Sequence, residues 1–183
     1  MAVIPDAKAL EEAARAASKG GMPPIDKWDP PESGAMELRI KRDGTWIHEG
    51  SPIQRPKLVR LFSTIMKREG DAYFLVTPVE KWRIEVEDAP FVAYDVTEQD
   101  GALTFLTNVG DSVTADANHP IRVDRTGDEP SPYVMVRDGL EALIDRKSFY
   151  RLVDMGEVRG DDFGVESKGA FFPLAPASEA REG

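Results

Sequence analysis

The chain contains few of the side chains that enzymes use for covalent or metal chemistry. It has no cysteine, which excludes a cysteine nucleophile, a thiolate zinc site and a disulfide framework. His48 and His119 are its only histidines, and they stand 71 positions apart (119 minus 48). A two-histidine metal site would need the fold to bring them together with carboxylates. His48 is a candidate for a ligand-binding or acid–base role, with an ordinary hydrogen-bonded strand residue as the alternative.

Other catalytic patterns are absent from the sequence. There is no glycine-rich phosphate loop, no G-x-S-x-G turn and no H-E-x-x-H helix. Glu87 and Asp88 are adjacent at the end of a predicted strand, so they point to opposite faces and cannot converge on one atom. The sequence therefore predicts no catalytic residue, no metal and no cofactor. An enzyme that uses His48 with a carboxylate remains an alternative.

Two arginines precede predicted helices. Arg55 stands directly before a helix that opens at Pro56, and Arg146 precedes "SFYRLV", with Ser148 as the predicted N-cap. A helix N-terminus favours anions, and a guanidinium adds a forked donor. Pairing of both arginines with surface acids is the alternative. The predicted ligand-binding residues are Trp46, His48, Ser51, Arg55, Lys81, Arg146 and Tyr150.

Charge is unevenly distributed along the chain, whose formal net charge is -10. The segment 39–83 has ten basic and five acidic residues and is therefore +5, whereas the segment 84–121 has eight acids, no lysine or arginine, and is -8. Solvated faces and ion pairs explain this pattern, and so does a local basic surface that receives an anion. The overall acidity argues against nucleic-acid binding.

The elements that would position these residues follow from periodicity. The segment 55–69 predicts a helix that buries Leu58, Leu61, Phe62, Ile65 and Met66 at positions i, i+3, i+4, i+7 and i+8. Alternating strands fill much of the rest, and Asp-Gly pairs at 43–44 and 100–101 predict two-residue hairpin turns. Trp28 is the predicted anchor of the Pro/Gly-rich segment after the first helix. The fold class is α+β.

"RDG" occurs twice, at Arg42–Gly44 and at Arg137–Gly139. Each copy is followed by a strand, an amphipathic helix and another strand, which predicts a duplicated β-β-α-β core with antiparallel sheet between the copies. The predicted divisions are an N-terminal helix and arm at 1–24, a first repeat at 25–80, a mostly β domain with the second repeat at 81–174, and a disordered tail at 175–183. A ligand between the two repeats is the predicted arrangement.

Several blocks resemble a known family. "WDPP", "TNVGD", "HPIRV", "YVMVRDGLEALIDRKSFYRLV" and "GAFFPL" are similar to the bacterial family called domain of unknown function 1285, over about residues 24–174. The resemblance implies a two-domain α+β protein whose C-terminal part is like a pleckstrin-homology fold. It also implies a ligand site at the domain interface, for a nucleotide-like molecule, and a role in signal transduction. It supplies no catalytic residue.

These observations predict a cytoplasmic ligand-sensing or regulatory module without a cofactor. No apolar run approaches the ~20 residues that cross a membrane, and the N-terminus lacks the basic and apolar regions of a secretory signal. The predicted partner is a small anionic or nucleotide-like ligand. The first rival is a protein-interaction domain that uses an exposed sheet edge or the acidic face, with no small ligand.

Overall fold

The computed structural model describes residues 6–19 and 21–181 and divides into two compact units between Asp88 and Ala89. The first five residues of the predicted N-terminal helix and arm, Gly20 and the last two residues of the predicted tail lie outside the described residues. The sequence predicts a division between residues 80 and 81. The units divide later because the strand at 81–86 pairs within the first sheet.

The first helix, α1 (Ala7–Ala17), begins where the Asp6 carboxylate accepts hydrogen bonds from the backbone N–H groups of Lys8 and Ala9. Leu10 and Ala14 lie on one face, four residues apart, and both are buried. The helix packs toward the second helix, α2 (Pro56–Ser63).

The Pro-rich segment 23–33, to which we restrict the name arm from here on, lies on the first sheet. It contains one 3₁₀ turn at Ile25–Lys27, and Trp28 packs with Ile25 against Phe74 and Val76. Lys67 Nζ donates a hydrogen bond to the Trp28 carbonyl at 3.1 Å. Trp28 is therefore the anchor that the sequence predicted.

The first unit contains one six-stranded sheet. Its strands are β1 (Gly34–Ile40), β2 (Trp46–His48), β3 (Ser51–Pro52), β4 (Met66–Glu69), β5 (Ala72–Val76) and β6 (Lys81–Val86). They lie in the order β3-β2-β1-β6-β5-β4, so two antiparallel meanders meet where β1 and β6 pair in parallel. The α2 helix lies on the connection between the two meanders.

The α2 helix is shorter than the sequence predicted. It ends at Ser63, and the predicted last turn is the strand β4, which begins at Met66. The hydroxyls of Ser63 and Thr64 donate to backbone carbonyls three residues earlier, at 2.5 and 2.6 Å, and so compete for the helix's own hydrogen bonds. Phe62, Ile65 and Met66 are nevertheless buried as predicted, whereas Leu58 and Leu61 are only half-buried.

The second unit contains a six-stranded and a three-stranded sheet. The larger sheet consists of β7 (Phe91–Gln99), β8 (Ala102–Thr107), β9 (Ser112–Thr114), β10 (Ile121–Asp124), β11 (Ser131–Arg137) and β12 (Leu140–Ile144), in the order β10-β11-β12-β7-β8-β9. The smaller sheet consists of β13 (Glu157–Arg159), β14 (Asp162–Ser167) and β15 (Ala170–Pro176). Helix α3 (Arg146–Asp154) connects the two sheets along the chain and packs on β7.

The segment predicted as a disordered tail begins with regular structure. Strand β15 continues to Pro176, and helix α4 (Ala177–Arg181) follows it. Ala177 is buried, its N–H donates to the Asp161 carbonyl, and Glu179 forms an ion pair with Arg125 at 2.5 Å. These tertiary contacts order a sequence whose composition alone favours disorder.

The two six-stranded sheets share one topology. In each, the first and last strands pair in parallel at the centre, and an antiparallel meander extends to either side. The architecture is therefore a duplicated, two-domain α+β fold, as the sequence predicted. The strands that correspond between the two copies differ from those predicted, because β1–β6 of the first sheet match β7–β12 of the second in order. The two Arg-Asp-Gly segments then lie in different hairpins, the first after β1 and the second after β11.

The two Arg-Asp-Gly segments also form different turns. Asp138 and Gly139 both have positive φ (47° and 81°), which is the two-residue type I′ geometry. In the first copy only Gly44 has positive φ (94°), and the Thr45 N–H donates to the Asp43 carboxylate. Both segments turn hairpins, but the tripeptide does not mark equivalent positions. The pleckstrin-homology likeness of the C-terminal part stays a prediction.

No helix within residues 6–19 and 21–181 is both long enough and apolar enough to cross a membrane.

Replacement of Phe62 by alanine tests the packing of α2. Phe62 is 2% exposed, so the cavity left by its ring should lower the free energy of unfolding by about 3–5 kcal/mol. Arg60→Ala, on the exposed side of the same helix, should change it by less than about 0.5 kcal/mol. Urea unfolding of both variants provides the measurement. Equal losses would show that α2 does not bury the Phe62 face.

Candidate functional site

A cavity of about 570 Å³ opens beside the β2–β3 hairpin in the first unit. We call it the His48–Arg55 cavity; it is lined by His48, Ser51, Pro52, Ile53, Gln54 and Arg55. Three of the seven predicted site residues therefore lie together. The tight turn at Glu49 and Gly50, both with positive φ, places His48 directly opposite Ser51 in the ladder. The volume is in the range of small-molecule sites.

Arg55 lies at the start of α2 and at the rim of this cavity. It occupies the N-cap position, and no side chain caps the helix there. The Arg55 carbonyl accepts hydrogen bonds from the N–H groups of Leu58 and Val59, while the Arg55 side chain is 62% exposed. The arrangement combines a forked cationic donor with the positive end of a helix.

The Arg55 guanidinium already holds a carboxylate. Its Nη2 atom donates to Glu11 Oε1 of α1 at 2.8 Å, and Arg15 donates to the same oxygen at 2.9 Å. The hydrogen bond from Arg55 is the main cause of a lowered pKa of Glu11. Sequence analysis missed Glu11, because nothing in a single sequence connects positions 44 residues apart. The alternative reading for Arg55, pairing with an acid, is thus present in the structure.

His48 lies on the side of β2 that also carries Trp46. Its side chain is 25% exposed, and the nearest carboxylate contact is Nε2 to Glu49 Oε1 at 3.9 Å. His119 Nδ1 instead donates to Asp116 Oδ1 at 2.9 Å. The same oxygen accepts the backbone N–H groups of Asn118 and His119 and so stabilises a tight turn. Within the described part of the chain, no three acidic or histidine side chains are close enough together to hold a metal ion.

Trp46 and Lys81 lie away from the cavity lining. Trp46 is 2% exposed, so its ring offers no open face for stacking. Lys81 is 8% exposed, and its Nζ atom donates to both Glu69 oxygens, at 2.5 and 2.7 Å, and lies 4.6 Å from the centre of the Phe74 ring. Both residues are thus engaged in the first unit's own structure.

Arg146 and Tyr150 belong to the second unit. Arg146 is the first residue of α3, and the N-cap is Asp145, whose carboxylate accepts the Ser148 N–H at 2.9 Å. The predicted Ser148 cap is therefore wrong, because the acid three residues earlier takes that role and Ser148 is buried within the helix. Arg146 pairs with Glu129 at 2.9 Å, and Tyr150 is 60% exposed. Their part in ligand binding stays a prediction.

Most of the basic segment 39–83 is neutralised within the first unit. Six of its ten basic residues form ion pairs, and some of the acid partners lie outside the segment; the pairs are Arg39–Glu87, Arg42–Asp88, Arg55–Glu11, Lys67–Glu69, Lys81–Glu69 and Arg83–Glu32. Counted over the two units, residues 1–88 have 14 basic and 15 acidic side chains (net -1) and residues 89–183 have 9 and 18 (net -9). The acidity of the protein belongs to the second unit.

The chain was compared with known families and solved structures. Residues 23–89 match the N-terminal domain of the DUF1285 family, a domain of unknown function, and residues 90–174 match its C-terminal domain. The chain belongs to the DUF1285 family. Along the chain, the boundary between the two matched domains, after residue 89, lies one residue beyond the division between the two compact units. A search of curated proteins found no match.

Two crystal structures of DUF1285 family proteins are similar to this chain. One, from Silicibacter pomeroyi DSS-3, is 54% identical, with a TM-score of 0.85 over 94% of this chain and 97% of that chain. The other, from Shewanella baltica OS155, is 31% identical, with a TM-score of 0.54 over 65% of this chain and 91% of that chain. These relationships establish the family, which is of unknown function. Any functional proposal must therefore be argued from the residues of the candidate site.

Replacement of Glu69 by glutamine tests the Lys81 ion pair. Hydrogen bonds from Lys81 lower the pKa of Glu69 from its ordinary value of 4.5. The folded state therefore gains stability from this pair above the unfolded-state pKa and loses it as the pH falls through the lower folded-state value. At pH 7 the variant should be about 1–2 kcal/mol less stable, since Glu69 is partly solvated.

The difference in the free energy of unfolding between wild type and Glu69→Gln should become smaller as the pH is lowered below 4.5. Chemical unfolding at pH 7 and at successively lower pH provides the measurement. Glu85→Gln, an exposed acid on the neighbouring strand β6, is the control and should follow wild type. A gap that stays constant with pH would contradict the assignment.

Proposed function

We propose that this protein is a ligand-sensing module that binds a small anion at the His48–Arg55 cavity, with nucleotides as the first ligand class to test. The observation that carries the proposal is the guanidinium of Arg55 at an uncapped helix N-terminus, on the rim of a cavity of ligand size. Oxyanions such as phosphate bind to this combination of donors. His48 and Ser51 add two further polar groups to the lining.

The Glu11 contact supports an oxyanion as the ligand class. A carboxylate oxygen rests 2.8 Å from Arg55 Nη2, which is the geometry of a charge-assisted hydrogen bond. A phosphate oxygen has the same requirement, so it would compete with Glu11 for the guanidinium. Because Glu11 belongs to α1, the competition would loosen α1 from the start of α2. Such a coupling suits a regulatory role in signal transduction.

The proposed site rests on the first unit. Binding should weaken with added salt, because the main contact is between charges at an exposed site.

Replacement of Arg55 by glutamine tests the proposal. The change removes the forked donor, and affinity for whichever nucleotide stabilises the protein in a thermal-shift panel should fall at least about tenfold. Lys57→Gln is the matched control, since it removes one positive charge from the same exposed helix turn and should bind within about twofold of wild type. Calorimetric titration gives the affinities.

A panel of nucleoside mono-, di- and triphosphates that leaves the melting temperature unchanged would contradict the proposal and favour a protein-interaction domain. If Arg55→Gln and Lys57→Gln lower the affinity equally, the ligand is attracted by the overall positive charge around α2 and does not contact Arg55 specifically. Circular dichroism of both variants checks that the fold is intact.

Replacement of Glu11 by glutamine tests the competition. Loss of the carboxylate frees the guanidinium, so the same nucleotide should bind about two- to fivefold more tightly, in proportion to the modest strength of an exposed ion pair. Glu12→Gln removes an exposed carboxylate from the same helix and should leave affinity unchanged. Weaker binding to Glu11→Gln would mean that Glu11 helps to hold the ligand instead of excluding it.

A further inference from the structure

The second unit exposes most of the large apolar side chains on the described surface. Six of the eight that are exposed belong to it, whereas Met22 and Val79 belong to the first unit. Four of the six follow one another from α3 into β13; they are Tyr150, Val153, Met155 and Val158. Exposed apolar side chains that cluster in this way mark interaction surfaces more often than scattered ones do.

An open groove of about 440 Å³ lies beside this stretch, between the end of α3 and β7. We call it the α3–β7 groove; it is lined by Val96, Thr97, Glu98, Arg151, Asp154 and Met155. Two cations hold α3 against the strand: Lys147 Nζ donates to the Tyr94 carbonyl, and Arg151 Nη1 donates to Asp95 Oδ1 at 2.5 Å. The wall of the groove is therefore fixed by hydrogen bonds.

The groove is negatively charged where it is open. Its one cation, Arg151, is engaged with Asp95 and with the Val96 carbonyl. Asp154 forms no ion pair with any residue of 6–19 or 21–181, and Glu98 accepts only a long hydrogen bond from the Gly101 N–H, at 3.3 Å. The C-terminal end of α3 adds a partial negative charge at the same place. The surrounding unit carries a net charge of -9.

We propose that the α3–β7 groove docks a lysine- or arginine-bearing apolar segment of a partner protein. The aliphatic stem of such a side chain packs on Val96 and Met155, while its charged end meets Glu98 and Asp154. Methionine suits this role, because its flexible thioether adapts to different partners. The exposed Val153 and Tyr150 extend the apolar contact along the partner. This site has the opposite charge preference from the His48–Arg55 cavity and stands independently of it.

Methyl NMR can locate the contact directly. The protein is prepared with ¹³C-methyl methionine and titrated with a synthetic helical peptide of leucine and lysine; the same peptide with glutamate for lysine is the matched control. The chain has six methionines, and among those in residues 6–19 and 21–181 Met155 and Met22 have exposed side chains. We expect saturable shifts of the Met155 methyl with the lysine peptide, an unmoved Met22 methyl, and no effect of the glutamate peptide.

A charge reversal in the groove separates local docking from the general acidity of the unit. Asp154→Lys should weaken binding of the lysine peptide by about tenfold or more, because it opposes the incoming cation. Asp128→Lys, an equal charge change at another exposed position of the second unit, should weaken it by less than about threefold. Equal effects of the two variants, an unshifted Met155 methyl, or binding of the glutamate peptide would each overturn the proposal.

Discussion

Both six-stranded sheets depend on the same constraint, the parallel pairing of their first and last strands. In the first unit β1 runs beside β6, from Gly34 opposite Trp82 to Ile40 opposite Val86. Parallel strands cannot be joined by a tight turn, so the chain between them must leave the centre of the sheet and return to it. In this unit the path includes α2, which buries Phe62 and brings Arg55 beside the β2–β3 hairpin. The cavity therefore follows from the connection that the parallel β1–β6 pair requires.

Local features of this fold follow from the sequence, and long-range pairings do not. The apolar spacing around Phe62 and the Asp-Gly hairpin at 100–101 depend on neighbouring residues, and the structure contains them. The Asp-Gly pair at 43–44 lies in a longer turn than the predicted two-residue one, because the Lys41 N–H donates to the Thr45 carbonyl and only Gly44 has positive φ. The end of α2 was missed because two hydroxyl side chains take carbonyls that a helix would use. The frame of the duplication was missed because an identical tripeptide turns two different hairpins. Of the predicted site residues, His48, Ser51 and Arg55 line one cavity, and their role in binding stays a prediction. The contact of Glu11 with Arg55 spans 44 positions, and no local pattern in the sequence indicates it.

The two units differ in net charge. The first unit is almost neutral (-1), and its cations are held by acids from the arm, from α1 and from the end of β6. Under the proposed function, an anion would replace a carboxylate that Arg55 already binds, so that binding would exchange one partner of the guanidinium for another. The second unit is strongly acidic and exposes apolar side chains, a combination that suits a basic protein partner. The two proposals therefore place the small-ligand site on the first unit and the protein contact on the second.

The central claim is that an anion enters the His48–Arg55 cavity and displaces Glu11 from Arg55. The most direct measurement is a two-dimensional amide NMR titration of the ¹⁵N-labelled protein with the nucleotide that most raises its melting temperature. Saturable shifts should appear in residues 48–59, which line the cavity and open α2, and in the part of α1 around Glu11. Saturable shifts confined to other parts of the chain, with residues 48–59 unmoved, would contradict the account.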